Sequence, residues 1–177
     1  LRAREKAVQS LAAGAHFLPG AFRVRRPGCH GTRGRLRTTM IIEICVDCIA
    51  SVEACTEAGA DRIELCAGLV EGGTTPSAGF LKAARRAFSG RIMMMIRPRG
   101  GDFVYSAEEA EIMREDIRQA RDGGADGVVF GCLLPDGSVD KAPTASLLEC
   151  SRGMDVTFHR AFDVSRDLHQ SLEELVA

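Results

Sequence analysis

The chain has 177 residues, 45% of them hydrophobic, and a formal net charge of −1. That is long enough for one globular core, and no apolar run approaches the roughly 18 residues that mark a membrane span. The charge is uneven: residues 1–39 hold nine Lys/Arg against the single acid Glu5, leaving 14 of the 23 basic and 23 of the 24 acidic residues to the rest. An acidic body argues against nucleic acid as a partner. Seven cysteines, at positions 29, 45, 48, 55, 66, 132 and 150, are odd in number and sit mostly inside apolar runs. Free thiols in a reducing cytosol are expected rather than a secreted disulfide framework.

Residues 1–39 are rich in Arg, Gly and Ala and carry no hydrophobic period. They are expected to lie outside the fold, as a disordered or non-native basic extension, with Met40 fitting the role of initiator. The rival reading is an organellar transit peptide, since those are Arg-rich and poor in acids.

From Met40 the pattern becomes regular. A first strand is predicted over Ile41–Cys45, then a helix over 49–57, with Asp47 capping its start and Gly59 ending it. A second strand covers Arg62–Cys66, and the next helix begins near Thr75-Pro76-Ser77 with proline in its first turn. Leu81, Ala84 and Phe88 mark its buried face. The apolar run Ile92–Arg97 predicts a strand buried on both faces. Ser106 and Glu109 form a capping box, and the helix it opens carries Ala110, Met113, Ile117 and Ala120 on one stripe, up to Gly123-Gly124. A fourth strand over Gly127–Gly131, a weaker helix over 144–150, a fifth strand over Asp155–His159 and a last helix over 166–176 complete the series. Gly-Ala-Asp precedes both the second strand (59–61) and the fourth (124–126), which hints at an internal duplication.

Strand and helix alternate five times, so the fold class is parallel α/β, a barrel or an open doubly wound sheet. Polar residues cluster at the C-terminal ends of four of the five strands, which favours the barrel, because an open sheet gathers its site at one switch point. A (β/α)8 TIM-type barrel needs eight units and about 250 residues. Residues 40–177 are therefore expected to form such a barrel truncated to about five βα units.

The chemistry is concentrated in two strands that share one pattern, Ile42-Glu43-Ile44-Cys45 and Ile63-Glu64-Leu65-Cys66. With the aliphatic positions outward, Glu43, Cys45, Glu64, Cys66, Arg97, Thr157 and His159 point inward. Two thiols on neighbouring strands suit a soft ion such as Cu(I), and the bland alternative is a pair of small buried hydrophobes. Cys45 and Cys48 also have CxxC spacing, but with no second pair the spacing is read as chance. Glu43, Glu64, Arg97 and His159 make either a buried ionic network or a catalytic set for proton transfer and anion binding. Arg97-Pro98-Arg99-Gly100-Gly101-Asp102 and the helix start at Thr75 add a candidate anion site, made by Arg97, Arg99, Gly100, Gly101 and Thr75.

Five stretches then carry a resemblance: residues 42–47, 59–66, 71–77 (Glu-Gly-Gly-Thr-Thr-Pro-Ser), 95–103 (Met-Ile-Arg-Pro-Arg-Gly-Gly-Asp-Phe) and 156–163 (Val-Thr-Phe-His-Arg-Ala-Phe-Asp). In this order they resemble the copper homeostasis protein CutC family from Met40 to the last residue. The resemblance implies a (β/α)8-type barrel, a cytoplasmic protein, a homo-oligomer when full length, and Cu(I) as cofactor and partner, bound by Cys45 and Cys66. Residues 1–39 match nothing in the family, and the chain is shorter than the family's usual length. Two functions follow as expectations: a copper protein working through Cys45 and Cys66, or a barrel enzyme of isomerase or lyase type. In the second, Glu64 and His159 move protons and Arg97 clamps a small anionic metabolite.

Overall fold

Five strands and five α-helices alternate along residues 40–177, the part of the chain that the computed structural model describes. The expectation for residues 1–39 falls outside it. The elements are β1 (Glu43–Val46), α1 (Ile49–Ala58), β2 (Arg62–Leu65), α2 (Ala78–Ala87), β3 (Arg91–Met95), α3 (Ala107–Asp122), β4 (Gly127–Phe130), α4 (Lys141–Cys150), β5 (Asp155–Phe158) and α5 (Leu168–Val176). Each lies within one to three residues of its predicted bounds. All neighbouring strands are parallel, and their order in the sheet is the order in the chain. A sequential parallel order has no switch point, so this is the TIM-barrel type of α/β fold.

The helices cover one face of the sheet. Ile63, Leu65, Ile92, Met94, Ile96, Val128 and Phe130 are all under 2% exposed and pack with Val52, Leu81, Ala84, Met113, Ile117, Ala120 and Leu147 of the helices. The other face carries Cys66, Met93, Met95 and Val129. The run 92–97 is buried throughout, as a strand between two packed layers requires. Where Met93 crosses the inner face, β4 must begin with glycine. A Cβ on Gly127 would meet Met93 at 2.4 Å and the Asp155 carbonyl at 2.7 Å.

Two predicted helix starts are corrected. Asp47 does not cap α1; Cys48 is the N-cap residue and makes no side-chain cap bond, while the Asp47 carboxylate accepts from the Leu69 N–H at 3.3 Å. The chain holds Asp47 across the loop after β2 instead of over the helix. Pro76 lies before α2, not in its first turn, because the Ser77 hydroxyl takes the cap by accepting from the Phe80 N–H. The capping box at Ser106 and Glu109 is present as expected, with both reciprocal bonds made.

The repeated Gly-Ala-Asp does one job twice. Asp61 Oδ2 accepts from the Ile42 N–H at 3.0 Å, and Asp126 Oδ2 accepts from the Ile92 N–H at 2.8 Å. Each aspartate thus pins the first turn of its own strand to the strand before it, and Asp126 also binds Arg85. Losing a carboxylate that satisfies a half-buried amide costs about 1–3 kcal/mol. Asp126→Ala should therefore lower the unfolding free energy by that much, read in urea as a lower midpoint at unchanged m-value, and Asp61→Ala, whose bond is exposed, by less. Unchanged midpoints for both would remove the pinning role.

Candidate functional site

The inner face is built in layers, because paired residues of parallel strands point the same way. Register aligns Glu43 with Arg62, then Cys45 with Glu64, Glu64 with Met93, Met93 with Gly127, and Gly127 with Asp155. Glu43 forms a close ion pair with Arg62, and Arg91 pairs with Asp155 at 2.6 Å, so the N-terminal ends of the strands carry a band of neutralised charges. Glu43 belongs to that band and not to the mouth. The expected convergence of Glu43, Glu64, Arg97 and His159 at the C-terminal ends is therefore corrected: strand register separates them into three levels.

Glu64 holds the middle level. Its register partner is Cys45, and Cys66 lies two residues further along its own strand, so the two thiols approach one carboxylate from two sides. Cys45 Sγ donates to Glu64 Oε1 at 3.3 Å and Cys66 Sγ to the same oxygen at 3.7 Å. Burial, then the Glu64 carboxylate, pushes the Cys45 thiol up to about 12 and the Cys66 thiol higher still. Burial likewise raises Glu64, against the two thiol bonds that lower it. Cys45 is open to solvent and Cys66 buried. Cys48 faces Ser51 at 3.2 Å on the next helix turn, and Cys55 and Cys132 pack under the helices. Among the described residues no group of three or more His, Cys, Asp and Glu side chains is arranged around a metal. Cys45, Cys66 and Glu64 come together as a hydrogen-bonded cluster of two thiols and one carboxylate.

The mouth is the third level. Arg97 is 3% exposed and donates to three backbone carbonyls: Nη1 to Glu71 at 2.8 Å and to Gly73 at 3.0 Å, Nη2 to Gly101 at 2.8 Å. Thr75 braces it, accepting from the Arg97 N–H through Oγ1 at 2.9 Å. The Phe103 ring sits 4.8 Å from the Arg97 guanidinium carbon and 4.9 Å, centroid to centroid, from His159. His159 Nδ1 accepts from the Ala161 N–H at 3.3 Å. The neutral imidazole therefore carries its proton on Nε2, which is buried without a partner. Burial, then the charges of Arg97 and Arg160, lower His159 to about 4.

The predicted anion-binding residues divide. Arg97 and Gly101 line a cleft of about 370 Å³ with Val70, Glu71, Gly72, Phe103, Arg160 and Val164. Arg99 is committed elsewhere, bound to Glu109 at 2.5 Å and Asp102 at 2.9 Å. Gly100 gives room to the Glu71 carboxylate, 2.7 Å from where its Cβ would stand. Sequence reasoning missed Arg160 and Phe103. Arg160 follows His159 directly, but strand alternation does not reach it, because the chain there turns into a 3-10 segment, Arg160–Val164.

Sequential parallel βα units with polar side chains at the strand ends define a TIM-barrel-type protein with its site on the inner face and mouth. The comparisons give its family: residues 40–177 match the CutC family, and the chain belongs to it. It is 50% identical over 137 residues to a CutC family protein of Bacteroides fragilis, covering 77% of this chain and 55% of that one. It is 46% identical over 162 residues to the human copper homeostasis protein cutC homolog, covering 86% and 59%. The chain thus spans somewhat over half the length of the curated relatives it matches. A crystal structure of the putative copper homeostasis protein CutC from Streptococcus agalactiae superposes with a TM-score of 0.72 at 37% identity, over 77% of this chain and 68% of that one. No helix among the described residues is long and apolar enough to cross a membrane.

The His159 shift has a measurable consequence. An unfolded imidazole protonates near 6.5, whereas the folded one stays neutral down to about 4. The unfolded chain binds the extra proton, so stability falls as pH drops through that window, by up to roughly 3 kcal/mol. A histidine NMR titration should give His159 a midpoint near 4, and His159→Gln should flatten that part of the pH–stability profile. A midpoint near 6.5 would show a solvated ring.

Proposed function

We propose that this CutC family member handles Cu(I) in the cytoplasm, holding the ion between Cys45 and Cys66 in a homo-oligomeric full-length protein. One observation carries the reading: two thiols from different strands bond to a single carboxylate oxygen, Glu64 Oε1. Soft thiolates select Cu(I), and two suffice for a low-coordinate site. Copper displaces both thiol protons on binding. Glu64 lies within hydrogen-bond reach to take the first. The names of the relatives, copper homeostasis proteins, point the same way.

A second reading, a barrel enzyme acting on a small anionic metabolite, is favoured by a separate observation. The neutral His159 and the buried Arg97 stand where βα-barrels assemble their chemistry.

Anaerobic Cu(I) competition titration of the full chain tests the first reading. Cys45→Ser and Cys66→Ser should each lower affinity at least about tenfold, since serine is a poor soft-metal ligand. Cys48→Ser, Cys55→Ser and Cys132→Ser should leave it nearly unchanged. Affinity should also rise with pH, by up to about a hundredfold per pH unit if both protons leave. Equal losses at Cys45 and Cys48 would instead support a CxxC clip.

A further inference from the structure

Two guanidiniums meet at Gly72. An ideal Cβ on that residue would lie 3.1 Å from Arg160 Nη1 and 3.4 Å from Arg97 Nη1. Gly72 has φ +83°, so a side chain there would be strained as well as crowded. Like charges brought together normally recruit a carboxylate between them, because unpaired neighbours of one sign repel. Here none does. Arg97 donates to three backbone carbonyls, which solvate its charge without cancelling it. Arg160 makes no ion pair with any described residue; Arg86 and Arg121 lack one too, but neither lines the cleft. The acid that lines the cleft, Glu71, has its carboxylate beside Gly100.

We infer that Arg97 and Arg160 form an oxyanion-binding site in this cleft, and that its ligand is a small molecule with a carboxylate or phosphate head and an apolar body. The head group follows from the two charges: Arg97 spends Nη1 on carbonyls but keeps Nε without a described partner, and the exposed Arg160 guanidinium supplies a planar donor set matched to either oxyanion. The body follows from the walls. Val70, 95% exposed, and Val164, 60% exposed, stand open to solvent beside the Phe103 ring, and all three line the cleft. Nearby, His159 presents a buried Nε2–H with no acceptor among the described residues, held neutral by burial first and then by the same two positive charges. The inference deepens the enzyme reading by naming the ligand class and rests on it only for turnover. Binding stands by itself and needs neither thiol.

The test is calorimetric titration of the full chain at pH 7 with inorganic phosphate and, separately, with isobutyrate. Saturable binding of either supports the site, and the stronger binder identifies the head group. Arg160→Gln, at an exposed position that the fold does not use, should weaken binding about tenfold or more through the loss of a charge-assisted contact. Gly72→Ala should weaken it similarly. Arg99→Gln and Cys45→Ser should leave it unchanged, and survival of binding in the Cys45 variant separates this result from the fate of the copper reading. Phosphate, still anionic at pH 4, should also raise the His159 NMR midpoint, because a bound anion offsets the guanidiniums that depress it. No saturable binding of either anion, equal losses in Arg99→Gln and Arg160→Gln, or an unmoved His159 midpoint would each overturn the assignment.

Discussion

The site depends on which way β2 faces. Ile63 and Leu65 are fully buried beneath the helices, which leaves Glu64 and Cys66 no choice but the inner face. Side chains in a strand alternate, and a slip of one residue would bury a carboxylate under α1 and α2 and expose two large aliphatics. Burying those two side chains is worth about 1.5–3 kcal/mol each, and an unpaired carboxylate in their place would cost several more. The phase is therefore fixed by the outer layer, and the chemistry of the inner layer follows from it. The same reasoning fixes Cys45 through its register with Glu64.

Electrostatics then divide the inner face along the strands. At the N-terminal ends, opposite charges cancel in pairs, Glu43 with Arg62 and Arg91 with Asp155. In the middle, both thiols donate to Glu64, and burial raises all three groups. At the C-terminal ends two guanidiniums keep their charge: Arg97 is solvated by carbonyls, and Arg160 makes no ion pair with any described residue. The two proposed sites, thiols in the middle and guanidiniums at the mouth, would therefore draw on different side chains of one face.

Much of this was legible in the sequence, and the limits have physical causes. Strand order, the helix stripes and the inward set from Glu43 to His159 followed from period and alternation, which are local and strong. Vertical position was not legible: alternation says which face Glu43 takes but not that register drops it beside Arg62. Stagger also decided the thiols, placing Glu64 rather than Cys66 level with Cys45. Two arginines and two glycines in one loop look like a ligand cradle, but Arg99 is paired with Asp102 and Glu109. Glu109, ten residues away and already used in the capping box, reaches back to take Arg99. A capping residue that also neutralises a loop arginine leaves no mark in a local motif.

Arg97 shows how a structural residue can stay available for function. Taking a guanidinium out of water costs several kcal/mol, and a carboxylate partner would offset that at the cost of its charge. Three carbonyl acceptors, each contributing about 1.5–3 kcal/mol when the donor is charged, offset it as well and leave the charge in place. Those carbonyls belong to two loops, 71–73 and 101, so the same bonds that keep Arg97 buried also set the walls of the cleft. Phe103 presses on the guanidinium from within that cleft and touches His159 as well. Moving either loop would therefore cost Arg97 its acceptors. The positive mouth and the loop geometry are consequently one feature of the fold, held by a single side chain.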